Sequence, residues 1–207
     1  VALATDVYET PTQVALPNGA LAKFVNVGWQ QSRVCTIAMS GELYCWGRST
    51  QTPTQITMPN AVIPNQVASS MLATCSLGGG TVYCWGTNTY GELGRTTDLG
   101  GVAAANLPVG MTAISVTSGA SHYCALTSDS NVYCWGSNTY GQLGATISGT
   151  STTQPQAVPL SESATSVSAG EFHTCAATSQ NHVYCWGFGR YGQLDGSFVE
   201  SSTAVLQ

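Results

Sequence analysis

Four copies of one short string constrain this chain more than any other feature. Val183-Tyr184-Cys185-Trp186-Gly187 recurs at residues 132–136 and 82–86, and residues 43–47 read Leu-Tyr-Cys-Trp-Gly. Each copy has a second cysteine upstream, at Cys175, Cys124, Cys75 and Cys35. Together they use all eight cysteines and four of the five tryptophans. A string that returns at a regular interval marks one supersecondary unit per copy, stacked because no single unit can bury its apolar face alone.

The cysteines fall into local pairs: Cys35 with Cys45, Cys75 with Cys84, Cys124 with Cys134, and Cys175 with Cys185. The separations are ten, nine, ten and ten residues. Between the partners lie tight-turn residues: Ser40-Gly41, Gly79-Gly80, Asp129-Ser130 and Gln180-Asn181. Cysteines placed symmetrically about a tight turn face each other across two antiparallel strands, close enough to bond. Four disulfide-closed hairpins imply an oxidising compartment, and so a secreted or cell-surface protein. Zinc pairs sit two to four residues apart, so these gaps are too long for that reading. Reduced, buried cysteines are the remaining alternative.

The totals agree with an exported protein. Of 207 residues 43% are hydrophobic, enough for a real core, while only 7% are charged, against about a quarter in an average soluble domain. Ser, Thr, Asn, Gln and Gly fill the surface instead. The net charge is -5, and the five cations (Lys23, Arg33, Arg48, Arg95 and Arg190) form no run. Phosphate backbones are bound by clustered cations, so nucleic acid is excluded as a partner, and an anionic membrane surface with it. No apolar stretch approaches the ~20 residues of a spanning helix, so membrane insertion is not expected. The chain opens at Val1 without a charged-then-apolar leader; any signal peptide is expected to have been removed.

Around each hairpin the same elements recur. An apolar, β-branched inner strand precedes it, at residues 22–27, 66–69, 113–117 and 165–168. An outer strand follows it, at residues 53–59, 155–160 and, more weakly, 203–206 and 103–108. Residues 11–16 resemble another outer strand, closed by the turn Pro17-Asn18-Gly19. Gly119 and Gly170 lie five residues before a cysteine, where glycine supplies a positive φ or a close backbone approach. Between hairpin and outer strand comes a glycine-bracketed loop, Asn88-Thr89-Tyr90-Gly91-Glu92-Leu93-Gly94, repeated at residues 138–144 and more loosely at 189–195. The first copy lacks it, which shortens Trp46 to Trp85 to 39 residues against 50 and 51 for the later intervals.

Four-stranded antiparallel sheets repeating every ~40–50 residues are the mark of a β-propeller. The fold class is therefore all-β, a propeller-type repeat of four small antiparallel blades, either an open arc or part of a larger ring. The chain divides as one domain, 1–207, with an outer strand of a preceding or shared blade in 1–20 and repeats at 21–59, 60–108, 109–160 and 161–207.

Ser-Ala-Gly-x-x-His-x-Cys-Ala at 168–176, followed by Val-Tyr-Cys-Trp-Gly-x-x-x-Tyr-Gly-Gln-Leu at 183–194, resembles the regulator of chromosome condensation repeat. His122 and His173 hold the histidine place of that pattern, while Arg33 and Leu72 or Ala73 replace it in the first two copies. The paired cysteines look like the secreted bacterial branch of the family. The family usually closes seven blades and this chain supplies four, with one outer strand to spare. An unpaired edge invites association, and a head-to-tail contact that does not close builds a filament.

The resemblance implies a binding platform. The family includes a nuclear exchange factor for a small GTPase, a plant ultraviolet photoreceptor and a secreted β-lactamase inhibitor. The cysteines and the charge argue against the nuclear role, and tryptophans in a strand repeat are better explained as core than as a light-sensing cluster. Enzyme chemistry lacks support. His122 and His173 repeat at one blade position, as structural struts do, and His182 sits in a hairpin arm at the surface. No Gly-x-Ser-x-Gly elbow is present. Asp98, Asp129, Asp195 and Glu200 could hold adventitious calcium through loop oxygens, but no EF-hand or RTX nonapeptide occurs; neither metal nor cofactor is expected. The leading reading is an extracellular, non-enzymatic structural, assembly or adhesive protein whose partner is a protein, foremost other copies of itself. The alternative is a secreted binding module or inhibitor using one propeller face. Its contact candidates are Tyr90, Tyr140, Tyr191, Phe172 and Phe188, each of which also reads as a packing anchor between blades.

Overall fold

The computed structural model describes residues 10–29, 33–48, 50–96 and 101–194, and the backbone of 201–206. The calcium candidates Asp98, Asp195 and Glu200 lie outside the described residues. Sheet one contains β1 (Ala22–Val27), β2 (Arg33–Ala38), β3 (Leu43–Gly47) and β4 (Thr50–Ile56). Sheet two contains β5 (Gln66–Ser69), β6 (Ala73–Gly78), β7 (Thr81–Gly86) and β8 (Ala103–Ala104). Sheet three contains β9 (Ala113–Ser118), β10 (His122–Thr127), β11 (Val132–Ser137) and β12 (Ser151–Ala157). Sheet four contains β13 (Ala164–Ala169), β14 (His173–Thr178), β15 (Val183–Gly187) and β16 (Ser201–Leu206). Every sheet is an up-and-down antiparallel meander.

The hairpin register places each cysteine opposite its partner: Cys35 with Cys45, Cys75 with Cys84, Cys124 with Cys134, and Cys175 with Cys185. All four bridges are formed, each with Cα atoms 4.1 Å apart, and no cysteine is free. In the chain-entropy account, closing a loop of this length contributes about 2–3 kcal/mol per bridge. The turns between them need left-handed residues and have them, at Gly41, Gly79, Gly80, Ser130 and Asn181.

Because strand side chains alternate, Tyr-Cys-Trp divides between two neighbours. The cysteines point forward to the next sheet; tyrosine and tryptophan point back to the previous one. Cys35, Ile37, Leu43 and Cys45 pack with Val67 and Trp85. Cys75, Leu77, Val82 and Cys84 pack with Tyr123 and Trp135. Cys124, Leu126, Val132 and Cys134 pack with Tyr184 and Trp186. The core is thus three inter-sheet layers, with each disulfide in the forward wall of its blade. Inner strands touch in order, β1 to β5 to β9 to β13, and no contact of that extent joins sheet four to sheet one among the described residues.

The structure departs in detail from three expectations. The outer strand expected in 1–20 is absent from residues 10–16, and Pro17–Gly19 is a 3-10 turn; residues 1–9 lie outside the described part. The four Tyr-Cys-Trp-Gly strands are paired with β4, β8, β12 and β16, so the outer-strand place of each sheet is filled from within the chain. The weak outer strand at 103–108 shrinks to the two residues of β8. Arg95, a buried cation, completes that edge by donating to the carbonyls of Cys84 (3.0 Å), Ala103 (2.9 Å) and Gly101 (3.1 Å). Gly119 and Gly170 have no positive φ. They are glycines because imidazoles lie on them: an added Cβ would meet Cε1 of His122 at 2.1 Å and Cε1 of His173 at 2.2 Å.

Candidate protein-contact face

The loops between inner strand and hairpin, and those after Trp-Gly, gather at one end of the sheets. The first set is tied in a row by backbone bonds: Met71 donates to Ala120 O (2.9 Å), and Ala120 donates to Glu171 O (3.0 Å). Arg48 reaches from sheet one to Met71 O at 2.8 Å. Within sheet four, Phe188 N donates to Phe172 O at 2.9 Å, which sets the two rings side by side.

The glycine-bracketed loops are capped from within. Asn138 Oδ1 accepts Leu143 N and Gln142 Oε1 accepts Tyr140 N, both at 2.9 Å. Asn88 and Glu92 repeat this in sheet two, and Gln193 accepts Tyr191 N at 2.8 Å in sheet four. The capped loop then offers a carbonyl to the next blade. Trp135 Nε1 donates to Glu92 O and Trp186 Nε1 to Gln142 O, each at 2.9 Å. An added Cβ on Gly144 would meet the Trp186 indole at 2.7 Å, so only glycine lets this loop close on the ring.

Four of the five contact candidates form one cluster. Tyr140 lies 5.2 Å from Phe172 and 5.0 Å from Phe188, ring centre to centre. Phe172 and Phe188 are 6.3 Å apart, and Phe188 and Tyr191 5.9 Å. Tyr191 is 83% exposed. Tyr90 makes no ring contact among the described residues but shares a cleft of about 360 Å³ with Tyr140 and Phe172. A second cleft, of about 410 Å³, lies between Trp29, Phe172, Phe188 and Tyr191, with Glu171 and His173 also at its wall. Trp29 hangs over the inner strands, its Nε1 donating to Ser118 O at 3.2 Å, and so bridges sheet one to sheet three. Trp29 recurs in no other repeat, so the motif pattern does not single it out. Its signal was available: it is the single tryptophan outside the strand repeat.

Two models of the regulator of chromosome condensation repeat match the chain, one at residues 113–142 and 164–193, the other at 79–126 and 129–177. The chain belongs to this family. The ultraviolet-B receptor UVR8 of Arabidopsis thaliana is 32% identical over 89% of the chain and 45% of its own length. Human WBSCR16 superposes with a TM-score of 0.79 at 20% identity, over 92% of this chain and 54% of that one. Prp20p of Saccharomyces cerevisiae superposes with a TM-score of 0.70 at 19% identity, over 86% and 50%. The chain therefore spans about half the length of the relatives it matches, and the two structures share its fold. Prp20p is described by its binding to Gsp1p and histones.

The repeat's histidines are struts at different depths. His122 is fully buried, and its Nε2 lies 2.9 Å from Thr174 Oγ1. Thr174 itself donates to Gln142 O at 3.0 Å, so the proton of that pair sits on Nε2. Burial, helped by nearby His173, depresses the His122 pKa to about 3. His173 is half-buried, and burial lowers its pKa too. His182 is 44% exposed at its side chain and hydrogen-bonds Glu162 at 2.8 Å, at the hairpin end. Hydrogen bonds from Thr178 and His182 hold the Glu162 carboxyl below its usual range. Asp129, the described calcium candidate, has its carboxylate engaged by Thr127 and Asn131 in its own turn. Among the described residues no three potential metal ligands cluster.

Proposed function

We propose that the chain is an extracellular, non-enzymatic protein-contact module, and that the aromatic end of its sheets is the surface it presents. The observation that carries this is the Tyr140–Phe172–Phe188–Tyr191 cluster beside Trp29, drawn from three blades and left partly open to solvent. Packing anchors would be covered by a neighbouring sheet; these rings line clefts instead. Aromatic side chains on rigid loops are the usual anchors of protein interfaces, because they bury much area at little entropic cost. Four disulfides suit an oxidising location. Among the described residues no helix is long and apolar enough to cross a membrane.

The test is affinity capture from the extracellular fraction of the source cells, with intact chain and with Phe172→Ala/Tyr191→Ala as bait. A protein retained by the first and lost from the second supports the reading. Equal capture by both overturns it.

A second reading is favoured by the forward wall of sheet four. Val183 is 42% exposed where its counterparts Leu43, Val82 and Val132 are at most 1%. A second copy docking there would make the chain an assembly protein, the structural role that low surface charge also favours. Light scattering over a range of concentrations separates the two: growth with concentration supports assembly, and a constant monomer mass removes it.

A further inference from the structure

We infer that the cleft beneath Trp29 takes a cationic side chain, arginine or lysine, presented by the partner protein. This rests on the reading of the aromatic end as a contact surface, and it names what that surface recognises. Three features converge on it.

The first is the wall. Trp29, Phe172, Phe188 and Tyr191 line a space of about 410 Å³, enough for one long side chain with its flanking backbone. Aromatic faces carry the negative lobe of the ring quadrupole and attract a cation within ~6 Å of the ring centre. The edge-on packing of Phe188 with Tyr191, 67° between planes, turns their faces in different directions around the space.

The second is charge. Glu171 brings a carboxylate to the same wall, and among the described residues that carboxylate has no hydrogen bond or ion pair. Its backbone is held in place by Ala120 N. Nothing else the structure shows asks for an acid there. An anionic guest would meet Glu171 with no cation lining the cleft to offset it, and Arg190 of the adjoining loop is not part of the wall. A purely apolar guest would strip water from the carboxylate without replacing it. A guanidinium or ammonium satisfies both ring and acid.

The third is His173. Half-buried in the wall and with its pKa lowered by that burial, it is neutral at neutral pH and adds no repulsion. The net charge of -5 further favours approach of a basic surface.

The test uses the intact disulfide-bonded chain and two small probes, N-acetyl-arginine methylamide and its uncharged isostere N-acetyl-citrulline methylamide. Binding is followed by the NMR shift of the Trp29 indole. The arginine probe is expected to bind about fivefold or more tightly than the citrulline probe, and to weaken as salt is added. Glu171→Gln should bring it down to the citrulline level, whereas Tyr191→Ala should weaken both. The proposal is overturned if both probes bind alike, if Glu171→Gln changes nothing, or if neither shifts Trp29. Partner capture lost in Phe172→Ala/Tyr191→Ala but unchanged in Glu171→Gln would sink the cation site and leave the contact surface standing.

Discussion

Strand β10 of sheet three is buried along its whole length, whereas β14 of sheet four alternates half-buried with buried residues. The two strands belong to copies of one repeat and carry the same disulfide at the same place. What differs is the neighbour. Sheet three has sheet four against its forward wall; among the described residues nothing covers the forward wall of sheet four to that extent. A residue such as Val183 is therefore not core because of its type or its position in the repeat. It becomes core when another blade arrives. The difference turns a static description into paired experiments, in which one substitution is made at equivalent positions of the two sheets.

The largest loss of stability is expected at the cysteines. Replacing both members of either bridge by serine removes the same loop-closure term, about 2–3 kcal/mol. In sheet three Cys124 and Cys134 are fully buried, so a further 1 kcal/mol or about that is lost in packing. Denaturant midpoints of the two double variants should differ, with the sheet-three variant the weaker. Equal midpoints would mean that the forward wall of sheet four is covered in solution, which is the assembly reading.

Next come the valines. Val132→Ala, at full burial, should cost about 2 kcal/mol, and Val183→Ala, at 42% exposure, less than about 0.5 kcal/mol. A large effect at Val183 that grows with protein concentration would again report a partner on that wall.

Acid provides the third comparison. An unfolded histidine binds its proton below the ordinary 6.5, while His122 in the fold refuses it until about 3. Between those values the unfolded state holds more protons, so stability falls as pH drops from 6.5 towards 3. The loss at pH 5 from this one residue is about 2 kcal/mol. His173, less buried, has its pKa moved in the same direction by burial alone and should titrate before His122 in an NMR titration. If the two rings titrate together, the difference in enclosure between the sheets is not real.

These contrasts also mark how far the sequence could be read. The hairpins were legible from cysteine spacing alone, because a pairing register is local and a tight turn announces itself in Gly, Ser and Asn. The four inner strands were legible from their β-branched runs. The direction in which each strand face points was not, although Tyr-Cys-Trp alternates visibly. Facing is a property of the neighbour, and neighbours are long-range. Arg95 was invisible for a related reason: a cation that completes a sheet edge through backbone carbonyls has no sequence partner to betray it. Gly119 was legible as special but not in full: its φ is not positive, and the close approach is by the His122 imidazole together with the backbone oxygen of Gly170. The aromatic candidates were found because they recur in the loops; Trp29 and Glu171 were missed because they do not.

The smallest effect concerns the loop that the first repeat lacks. In the later repeats a loop carbonyl receives the next blade's indole, and Gln142 O takes both Trp186 Nε1 and Thr174 Oγ1. Sheet one has no such loop, and the equivalent pair in sheet two, Trp85 Nε1 and Thr74 Oγ1, is buried with no hydrogen-bond partner among the described residues. Trp186→Phe should therefore lose a hydrogen bond in addition to the change in packing, while Trp85→Phe should lose the packing and shed an unsatisfied donor. The two variants should differ by about 1–2 kcal/mol in denaturation, with Trp85→Phe the milder. Thr74→Val should be neutral or stabilising, and Thr174→Val destabilising, since the latter also removes the partner of His122. If Trp85→Phe costs as much as Trp186→Phe, an ordered water must stand where the missing loop's oxygen would be. The notch between sheets one and two would then be as fully satisfied as the others.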